Sequence, residues 1–486
     1  MMENMTLKQI AKACGGSYHG SAEAASQCVS AVVTDSRQVT KGALFIALRG
    51  ERADGHSFIR QTCDAGAAAA VCEEEQPGLP MPYILVQSCT QALADIARYY
   101  RSTLQIPVIG VAGSVGKTST KEMIASVLGV RYHVLKTAGN FNNEIGMPLT
   151  LLRIRPEHEA AVIEMGISDF GEMHRLARTA RPDICVMTNI GECHLEFLGD
   201  RDGVLRAKSE MFDYLTPQGH IVLNGNDDKL STIGTVRGIV PQRYYIEEES
   251  EPGTGPDGKD TAGGAPAALR VQNIVNAGLS GIRADFVFPD AVLRIEEPIP
   301  GIHNLYNAAA AALVGRLLGL TDVEIAEGIR NARTIDGRLH MLRLANGITV
   351  IDDCYNANPV SMQASLSVLA CAAGRTIAVL GDMGELGADA SKLHARVGAA
   401  AAAEGIDVLW CAGELSRDMA KGAQDTAKRC AHPMEIRHFE TKEALQKQLP
   451  AFLRPGDAVL VKASHFMGYE QIVHTLKETF AQKADA

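Results

Sequence analysis

The segment Gly113–Ser119, GSVGKTS, has the residue types of a phosphate-binding loop. Glycines let backbone N–H groups wrap phosphate oxygens, a lysine supplies charge to the terminal phosphates, and a hydroxyl at the start of a helix can bind magnesium. Lys117 and Thr118 are the candidates for the last two tasks. Val111 stands where the usual frame has glycine, so the loop is a shortened variant. The alternative is a glycine-rich turn that binds no phosphate. It is weaker, because a strand pattern precedes the segment and a helix pattern follows it.

Three further residues could complete a nucleotide and metal site. Glu164 ends the apolar run AAVIE, where a carboxylate could reach a magnesium ion held by Thr118. His194 follows the strand-like ICVMTNIG, and Lys208 lies in the helical RAKSEMF. Taken singly, each is more often structural than catalytic. Their significance depends on whether the fold brings them to the loop.

The elements that must position these residues form an α/β pattern. A length of 486 residues suggests about three domains. Residues 1–103 alternate short strands with helices and predict a small N-terminal α/β domain; residues 104–333 predict a central P-loop ATPase domain with a parallel sheet. Residues 334–486 predict a C-terminal Rossmann-like α/β domain. Residues 247–268, rich in Gly, Pro and acids, predict a flexible surface insertion outside the chemistry.

One loop of the third domain has a local signal of its own. Asn358 and Pro359 suit an N-cap and the first turn of a helix, so residues 352–358 should form a loop at the end of a strand. Open α/β sheets place their chemistry at the carboxyl ends of parallel strands. We therefore expect this loop to face a ligand.

Composition excludes several classes of function. A net charge of −10 provides no overall positive field for a nucleic-acid backbone. The N-terminus lacks the apolar core of a signal peptide, and no apolar run is long enough for a membrane span, so we expect a cytoplasmic protein without membrane insertion. The 11 cysteines show no CxxC pair or zinc spacing and should be reduced thiols.

A series of motifs, in matching order and spacing along nearly the whole chain, resembles the Mur ligase family. They are Gly113–Ser119, Gly139–Gly146, Glu164–Gly166, Gly191–Glu196, Ala207–Glu210, Gly301–Asn304 and Asp353–Pro359. The segments GNFNNEIGMPL, DDCYNANPVSM and LGDMGELG resemble the branch that adds D-alanyl-D-alanine, and the DNPR motif typical of the branch adding meso-diaminopimelate is absent.

The resemblance implies a function and its partners. We expect a monomer that uses ATP and magnesium to ligate D-alanyl-D-alanine to UDP-N-acetylmuramoyl-tripeptide through an acyl phosphate, in peptidoglycan precursor synthesis. The alternatives are another Mur-type amino acid ligase and a non-catalytic UDP-sugar-binding homologue. A GTPase-like switch is disfavoured because the position of its guanine-reading NKxD motif has Thr188–Gly191, TNIG.

The resemblance also implies a role for individual residues. Lys117 would contact the ATP phosphates, Thr118 and Glu164 would bind one magnesium ion, and Glu164 with His194 a second. Lys208 would be carbamylated to a carboxylate-like metal ligand, which requires a neutral, desolvated amine. The remaining expected contacts are ATP at Gly113, Ser114, Val115, Gly116, Ser119, Asn304, Asp336, Arg338 and Asp353, the UDP-sugar at Ser36, Arg37, Asn140 and Asn142, and the amino substrate at Tyr355, Asn356 and Asn358.

The last strand departs from the family pattern. Ala463 and His465 stand where members of the family usually have glycine and arginine. A bidentate guanidinium is therefore not available at 465. Either Lys462 and a neighbour share that task, or the arginine is not essential to the chemistry.

Overall fold

Three β-sheets organise the chain in the computed structural model, which describes residues 5–51, 53–247, 267–430 and 432–481. The expected α/β class with three domains is confirmed. The insertion expected at 247–268 lies outside the described residues except for its ends. No described helix combines the length and apolarity needed to cross a bilayer.

The strands are β1 Ser17–His19, β2 Val32–Val33, β3 Leu44–Ile46, β4 Ala69–Cys72, β5 Tyr83–Leu85, β6 Val108–Ala112, β7 Val134–Lys136, β8 Ala160–Glu164, β9 Ile184–Met187, β10 His220–Asn224, β11 Gln242–Ile246, β12 Leu269–Asn276, β13 Ile282–Val287, β14 Val292–Glu297, β15 His340–Arg343, β16 Thr349–Asp352, β17 Thr376–Gly381, β18 Val408–Ala412, β19 Glu435–Phe439 and β20 Ala458–Lys462. The α-helices are α1 Leu7–Ala13, α2 Ala22–Ala25, α3 Ile59–Asp64, α4 Cys89–Thr103, α5 Lys117–Leu128, α6 Gly146–Leu151, α7 Glu172–Ala180, α8 Leu195–Leu198, α9 Arg201–Ser209, α10 Ile302–Leu317, α11 Asp322–Arg330, α12 Pro359–Ala370, α13 Ala390–Ala403, α14 Ser416–Ala427, α15 Lys442–Phe452 and α16 Glu470–Thr479.

The first sheet has the order β1-β5-β4-β3-β2 and is parallel except for β1. Helix α4 links it to the second sheet. Arg101, buried near the end of α4, donates hydrogen bonds to the carbonyl oxygens of Ala180 at 2.9 Å and Arg181 at 3.1 Å and pairs with Asp183 at 2.8 Å. These contacts fix the first sheet against the element that leads into β9.

The second sheet has the order β14-β13-β12-β11-β10-β9-β6-β8-β7. From β12 to β7 every neighbouring pair is parallel, as expected, but β13 and β14 are antiparallel additions that the sequence interpretation did not include. Their residues alternate between buried and less buried, whereas β6, β8 and β9 are buried throughout. Alternation is typical of antiparallel strands with one solvated face, and continuous burial of parallel strands covered on both faces.

The third sheet has the order β15-β16-β20-β17-β18-β19 and is parallel except for β15. Separate apolar cores cover its two faces. The N-cap expectation is confirmed: the Asn358 side chain accepts the backbone N–H of Ser361 at 2.8 Å, and Pro359 begins α12. The loop between β16 and α12 therefore lies at the carboxyl end of a parallel strand.

Candidate functional site

The phosphate loop connects buried β6 to α5, and two of its glycines have conformations that other residues rarely adopt. Gly116 has φ 82° at the N-cap of α5, and Gly113 has φ 147°. A Cβ at Gly113 would stand 2.0 Å from the Thr188 hydroxyl oxygen. Val111, the departure from the usual frame, belongs to β6 and pairs with Glu164 of β8. The loop is short because the strand continues up to Ala112.

Glu164 is the carboxylate that the sheet places beside the loop. Its Oε1 accepts hydrogen bonds from Thr118 Oγ1 at 3.2 Å and Asn142 Nδ2 at 2.8 Å. Its Oε2 is buried, accepts no hydrogen bond from any described residue, and lies 3.7 Å from Lys121 Nζ. A buried carboxylate oxygen without a hydrogen bond beside a threonine hydroxyl has the oxygen chemistry that magnesium binds. The residues present therefore fit the expected ion.

Lys121 is a charged group at this site that the sequence interpretation missed. Its side chain is buried, and its Nζ donates to the Thr137 carbonyl at 2.7 Å and pairs with Glu122 at 3.1 Å. It lies one helical turn after Lys117, so the spacing of the two lysines in α5 could have indicated it. It places a second cation near Glu164.

Lys117 lies over its own loop. Its Nζ donates to the carbonyl oxygens of Gly113 at 3.0 Å and Ser114 at 3.3 Å. Burial lowers the pKa of Lys117, while the Glu164 carboxylate opposes this shift. The amine therefore lies against the loop carbonyls, at the place where the loop would hold phosphate oxygens.

His194 and Lys208 reach the same centre from the segment after β9. Burial lowers the pKa of His194, and the nearby charges of Lys208 and Lys117 lower it further. Lys208, in α9, is 1% exposed, and burial followed by the charge of Lys117 lowers its pKa to about 8. Within the described ranges its amine donates no hydrogen bond and forms no ion pair. A buried, uncompensated amine favours its neutral form.

Lys117 thus connects the four expected catalytic side chains: its charge is coupled to Glu164, His194 and Lys208, and the charge of Lys208 also acts on His194. Cys193 joins them, since its thiol donates to Ser114 Oγ at 3.1 Å. Nowhere in the described chain do three His, Cys, Asp or Glu side chains form a metal-binding cluster. The candidate ligands here are of mixed type: hydroxyl, carboxylate, imidazole and lysine.

A cavity of about 400 Å³ opens beside the loop, between the second and third sheets. It is lined by six of the residues expected to bind ATP, namely Val115, Gly116, Ser119, Asn304, Arg338 and Asp353. Asp336 does not line it: this exposed side chain lies 3.2 Å from His340 instead. Burial lowers the pKa of His303, also in the lining, to about 4, so its imidazole is neutral. The cavity offers apolar walls and amide groups next to a phosphate loop.

Arg338 is the positive group that the third domain brings to this cavity. Its guanidinium lies 4.2 Å from the centre of the Tyr355 ring, whose other neighbour is the His465 ring at 5.5 Å. The positive charge of Arg338 contributes to lowering the pKa of both Lys117 and Lys462. A guanidinium stacked on an aromatic ring is held in place for an anion.

Asp353 and Lys462 form a buried ion pair. Lys462 Nζ donates to Asp353 Oδ2 and, at 3.1 Å, to the Asn356 carbonyl. Asp353 also accepts from the Ser365 hydroxyl at 2.6 Å. His465 is exposed, while Ala463 is fully buried. Lys462 is therefore held inside the domain, and Arg338 is the third-domain guanidinium that lines the cavity.

The residues expected to bind the UDP-sugar divide into two groups. Ser36 and Arg37 follow β2 in the first domain, where exposed Arg37 pairs with Asp35 at 2.7 Å. Asn140 is exposed, and Asn142 contacts Glu164. The structure therefore places Asn142 beside the carboxylate at the phosphate loop, and Ser36 and Arg37 in the first domain.

The residues expected to bind the amino substrate lie in the β16–α12 loop. Tyr355 stacks against Arg338. Asn356 Oδ1 accepts the Ala357 backbone N–H at 2.9 Å, and Asn358 caps α12. The carbonyl oxygens of both asparagine side chains are thus used by the loop, and their amide N–H groups are the parts that could meet a ligand.

Comparison with known proteins agrees with this geometry. The model of the Mur ligase family, catalytic domain, matches residues 29–101; that of the Mur ligase middle domain matches 111–315; and that of the Mur ligase, glutamate ligase domain, matches 337–465. UDP-N-acetylmuramoyl-tripeptide–D-alanyl-D-alanine ligase of Bacillus subtilis is 35% identical over 98% of this chain and 99% of its own.

Solved structures give the same result. MurF from Acinetobacter baumannii is similar with a TM-score of 0.83 and 29% identity over 97% of this chain and 98% of its own. MurF ligase from Thermotoga maritima, solved in complex with ADP, is similar with a TM-score of 0.78 and 27% identity over 93% and 98%. With all three family models matched in order and relatives aligned from end to end, the chain belongs to the Mur ligase family.

Proposed function

We propose that this chain ligates D-alanyl-D-alanine to the free carboxylate of UDP-N-acetylmuramoyl-tripeptide, with ATP converted to ADP and phosphate, in peptidoglycan precursor synthesis. The observation that carries the proposal is the electrostatic coupling of Lys117 to Glu164, His194 and Lys208, beside a phosphate loop whose Val115, Gly116 and Ser119 line the cavity. The name of the Bacillus subtilis relative, aligned over nearly the whole of both chains, supports the choice of substrates.

The chemistry requires activation of the carboxylate. A free carboxylate does not accept an amine in neutral water, because oxide is a very poor leaving group. Transfer of the γ-phosphoryl group of ATP to the carboxylate gives an acyl phosphate whose leaving group is phosphate. Lys117 and the backbone N–H groups of the loop would stabilise the charge on the transferred phosphoryl group. Arg338 would add a positive charge from the third domain.

Magnesium, when bound at Thr118 and Glu164 and at Glu164 with His194, would draw together phosphate oxygens and neutralise their charge. Asn142 orients Glu164 by its hydrogen bond, and the backbone N–H of Glu164 donates to the Thr137 hydroxyl at 3.0 Å. These contacts hold one carboxylate oxygen toward Thr118 and leave the other for an ion.

Carbamylation of Lys208 would complete the site. The Lys208 ammonium first loses one proton; the neutral amine then attacks carbon dioxide, the new N–C bond forms as a C–O π bond opens onto oxygen, and a second proton leaves the nitrogen, so that a cation becomes an anion. As an ammonium, Lys208 lowers the pKa of His194 and is itself repelled by Lys117. As a carbamate it would attract both Lys117 and a divalent cation.

The cavity between the second and third sheets would hold the adenosine part of ATP, with Asn304 and His303 near the base. Closure of the third domain over the loop would exclude water, which otherwise hydrolyses an acyl phosphate. All proposed residues belong to one chain, so a monomer can perform the reaction. The use of ATP fits the cytoplasmic location expected from the sequence.

The test is formation of amide and release of phosphate from ATP and UDP-N-acetylmuramoyl-tripeptide, with D-alanyl-D-alanine, D-alanine or meso-diaminopimelate as the amino partner. We expect the dipeptide to give the pentapeptide product by mass spectrometry, with one phosphate per amide. Preference for another amine would indicate a different Mur-type ligase, and substrate binding without phosphate release would indicate a non-catalytic homologue.

A further inference from the structure

Arg338 lies in the turn that leads into β15, and its guanidinium has no acidic partner among the described residues. It lines the cavity beside the phosphate loop and lies over the Tyr355 ring. The neighbouring acid, Asp336, lies 3.2 Å from His340 instead. A guanidinium in a protein stays charged. The third domain thus presents a positive charge, not balanced by a carboxylate, at the cavity that the phosphate loop borders.

The two backbone N–H groups that flank Arg338 are held by neighbouring carboxylates. The Gly337 N–H donates to Asp352 Oδ2 at 3.1 Å. The Leu339 N–H donates to Asp353 Oδ1, also at 3.1 Å. Asp352 ends β16, Asp353 follows it, and both are buried. Because hydrogen bonds to an ionised carboxylate are stronger than those between neutral groups, the end of β16 fixes the backbone on both sides of the arginine.

The turn has a backbone conformation that needs support. Leu339 has φ 47°, which residues other than glycine rarely adopt, and Gly337 has φ 74°. A Cβ at Gly337 would lie 3.1 Å from the Cβ of Tyr355, whose N–H donates to the Gly337 carbonyl at 3.1 Å. Such conformations persist only where the surroundings impose them. Without an acceptor for its N–H, Leu339 should relax and move Arg338 away from the Tyr355 ring.

Asp353 brings a negative charge to the cavity, and Lys462 balances it. Asp353 lines the cavity, where a carboxylate without a partner would repel the phosphates of a nucleotide. Its Oδ2 accepts hydrogen bonds from the Ser365 hydroxyl at 2.6 Å and from the Lys462 ammonium. Its Oδ1 accepts the Leu339 N–H, so both oxygens are used inside the third domain. What Asp353 contributes toward the cavity is therefore the hydrogen bond to Leu339 and not its charge.

We propose that Asp353 is a positioning residue that acts on the reaction through Arg338. Its Oδ1 holds the turn that keeps the guanidinium at the nucleotide, and Lys462 cancels its charge. Asp353 then makes no contact with ATP itself, which differs from the contact expected from the sequence. The inference rests on the proposed ligase function, because it assumes that the cavity holds ATP and that Arg338 meets its phosphates.

Two double variants isolate the hydrogen bond to Leu339. Asp353→Asn/Lys462→Met, the Asn pair, and Asp353→Leu/Lys462→Met, the Leu pair, both remove the ion pair, so neither leaves a buried charge without a partner. The Asn side chain keeps a carbonyl oxygen for the Leu339 N–H, and the Leu side chain does not. Arg338→Ala is studied alone and combined with the Leu pair. For each protein we measure ligation kinetics with ATP varied, and the affinity for ATP by calorimetry.

A matched control removes another buried ion pair of the same sheet. Asp457 pairs with Arg375 at 2.7 Å and precedes β20, whereas Lys462 ends that strand. The two ion pairs thus lie at opposite ends of one strand. Asp457→Leu/Arg375→Met should keep the wild-type kcat and KM for ATP, although its melting temperature should fall.

We expect the Leu pair to lower kcat/KM for ATP by about 100-fold, as Arg338→Ala does, because both remove one charged donor from the phosphates. The affinity for ATP should fall by about 10-fold in both. The Asn pair should stay close to wild type. The Leu pair should add no further loss to Arg338→Ala, because Asp353 acts only through that arginine.

Full activity of the Leu pair would overturn the proposal. Equal loss in the Asn and Leu pairs would do the same, because the charges of Asp353 and Lys462 would then be required. So would additive loss when the Leu pair is combined with Arg338→Ala, or a matching loss in the Asp457 control. A wild type that binds ATP but forms no amide would instead refute the ligase function, and the ATP affinities of the variants would still test the positioning of Arg338.

Discussion

Thr118 Oγ1 donates a 3.2 Å hydrogen bond to Glu164 Oε1, although 46 residues separate them in the chain. The parallel pairing of β6 with β8 produces this contact, because it sets Val111 opposite Glu164 at the strand ends from which the loop begins. Strand register thus determines which carboxylate meets the phosphate loop.

Asn142 should act through Glu164 on metal binding. Asn142→Ala removes the 2.8 Å hydrogen bond to Oε1 and lets the carboxylate rotate, so we expect the magnesium concentration for half-maximal activity to rise by about 10-fold or more. Asn140→Ala, at an exposed position of the same loop, is the control. An increase in KM for the UDP-sugar with no change in the magnesium requirement would support the role first expected for Asn142.

Lys208→Ala should reduce ligation by orders of magnitude, because the buried amine is the group proposed to become a carbamate. Added formate or acetate would supply a carboxylate in the space that the side chain leaves, and partial recovery of phosphate release is expected. Full activity of Lys208→Ala without any added acid would rule out the carbamate.

The buried ammonium of Lys208 should also lower the free energy of unfolding. Burial lowers its pKa from the ordinary 10.5 to about 8, so between these values the unfolded chain holds a proton that the folded chain has released. Stability then rises with pH across this window, and the cost, about 3 kcal/mol, is fully present below pH 8 and disappears above 10.5.

Lys208→Met should therefore melt several degrees higher than wild type at about pH 7 in bicarbonate-free buffer, and this gain should shrink toward about pH 10. The measurement is the calorimetric transition of both proteins at the two pH values. A gain that does not depend on pH would show that packing, not the ammonium, determines the difference.

Gly113→Ala should disable the phosphate loop. The new Cβ would meet the Thr188 hydroxyl at 2.0 Å, and a shift of the loop by about 1 Å is expected to weaken activity by about 100-fold. Gly234→Ala, whose Cβ meets nothing within 4 Å, is the matched control. ATP binding by calorimetry checks the result, and wild-type affinity in Gly113→Ala would contradict the assigned geometry.

Local signals predicted much of the fold and part of the site. The loop at Gly113, its flanking strand and helix, and the Asn358 cap all follow from residue types within a few positions. Parallel strands buried on both faces gave long apolar runs that the sequence shows directly. In β13 and β14 buried and less buried residues alternate, so these strands have no such run, and the sequence interpretation did not include them.

Contacts between distant segments account for the rest. The packing of Asn142 against Glu164 depends on how the loop after β7 folds back over β8. The approach of Glu385 to His194 depends on the placement of one domain against another. Neither distance follows from periodicity or spacing, and the same holds for the contact of the Arg338 guanidinium with the Tyr355 ring.

The most direct test of the central claim follows oxygen from substrate to product. UDP-N-acetylmuramoyl-tripeptide labelled with ¹⁸O in its free carboxylate is converted with unlabelled ATP and D-alanyl-D-alanine, and the released phosphate is analysed by mass spectrometry. Activation at the Lys117 loop through an acyl phosphate predicts one ¹⁸O atom in each phosphate released. Phosphate without label, formed alongside the amide, would contradict that account.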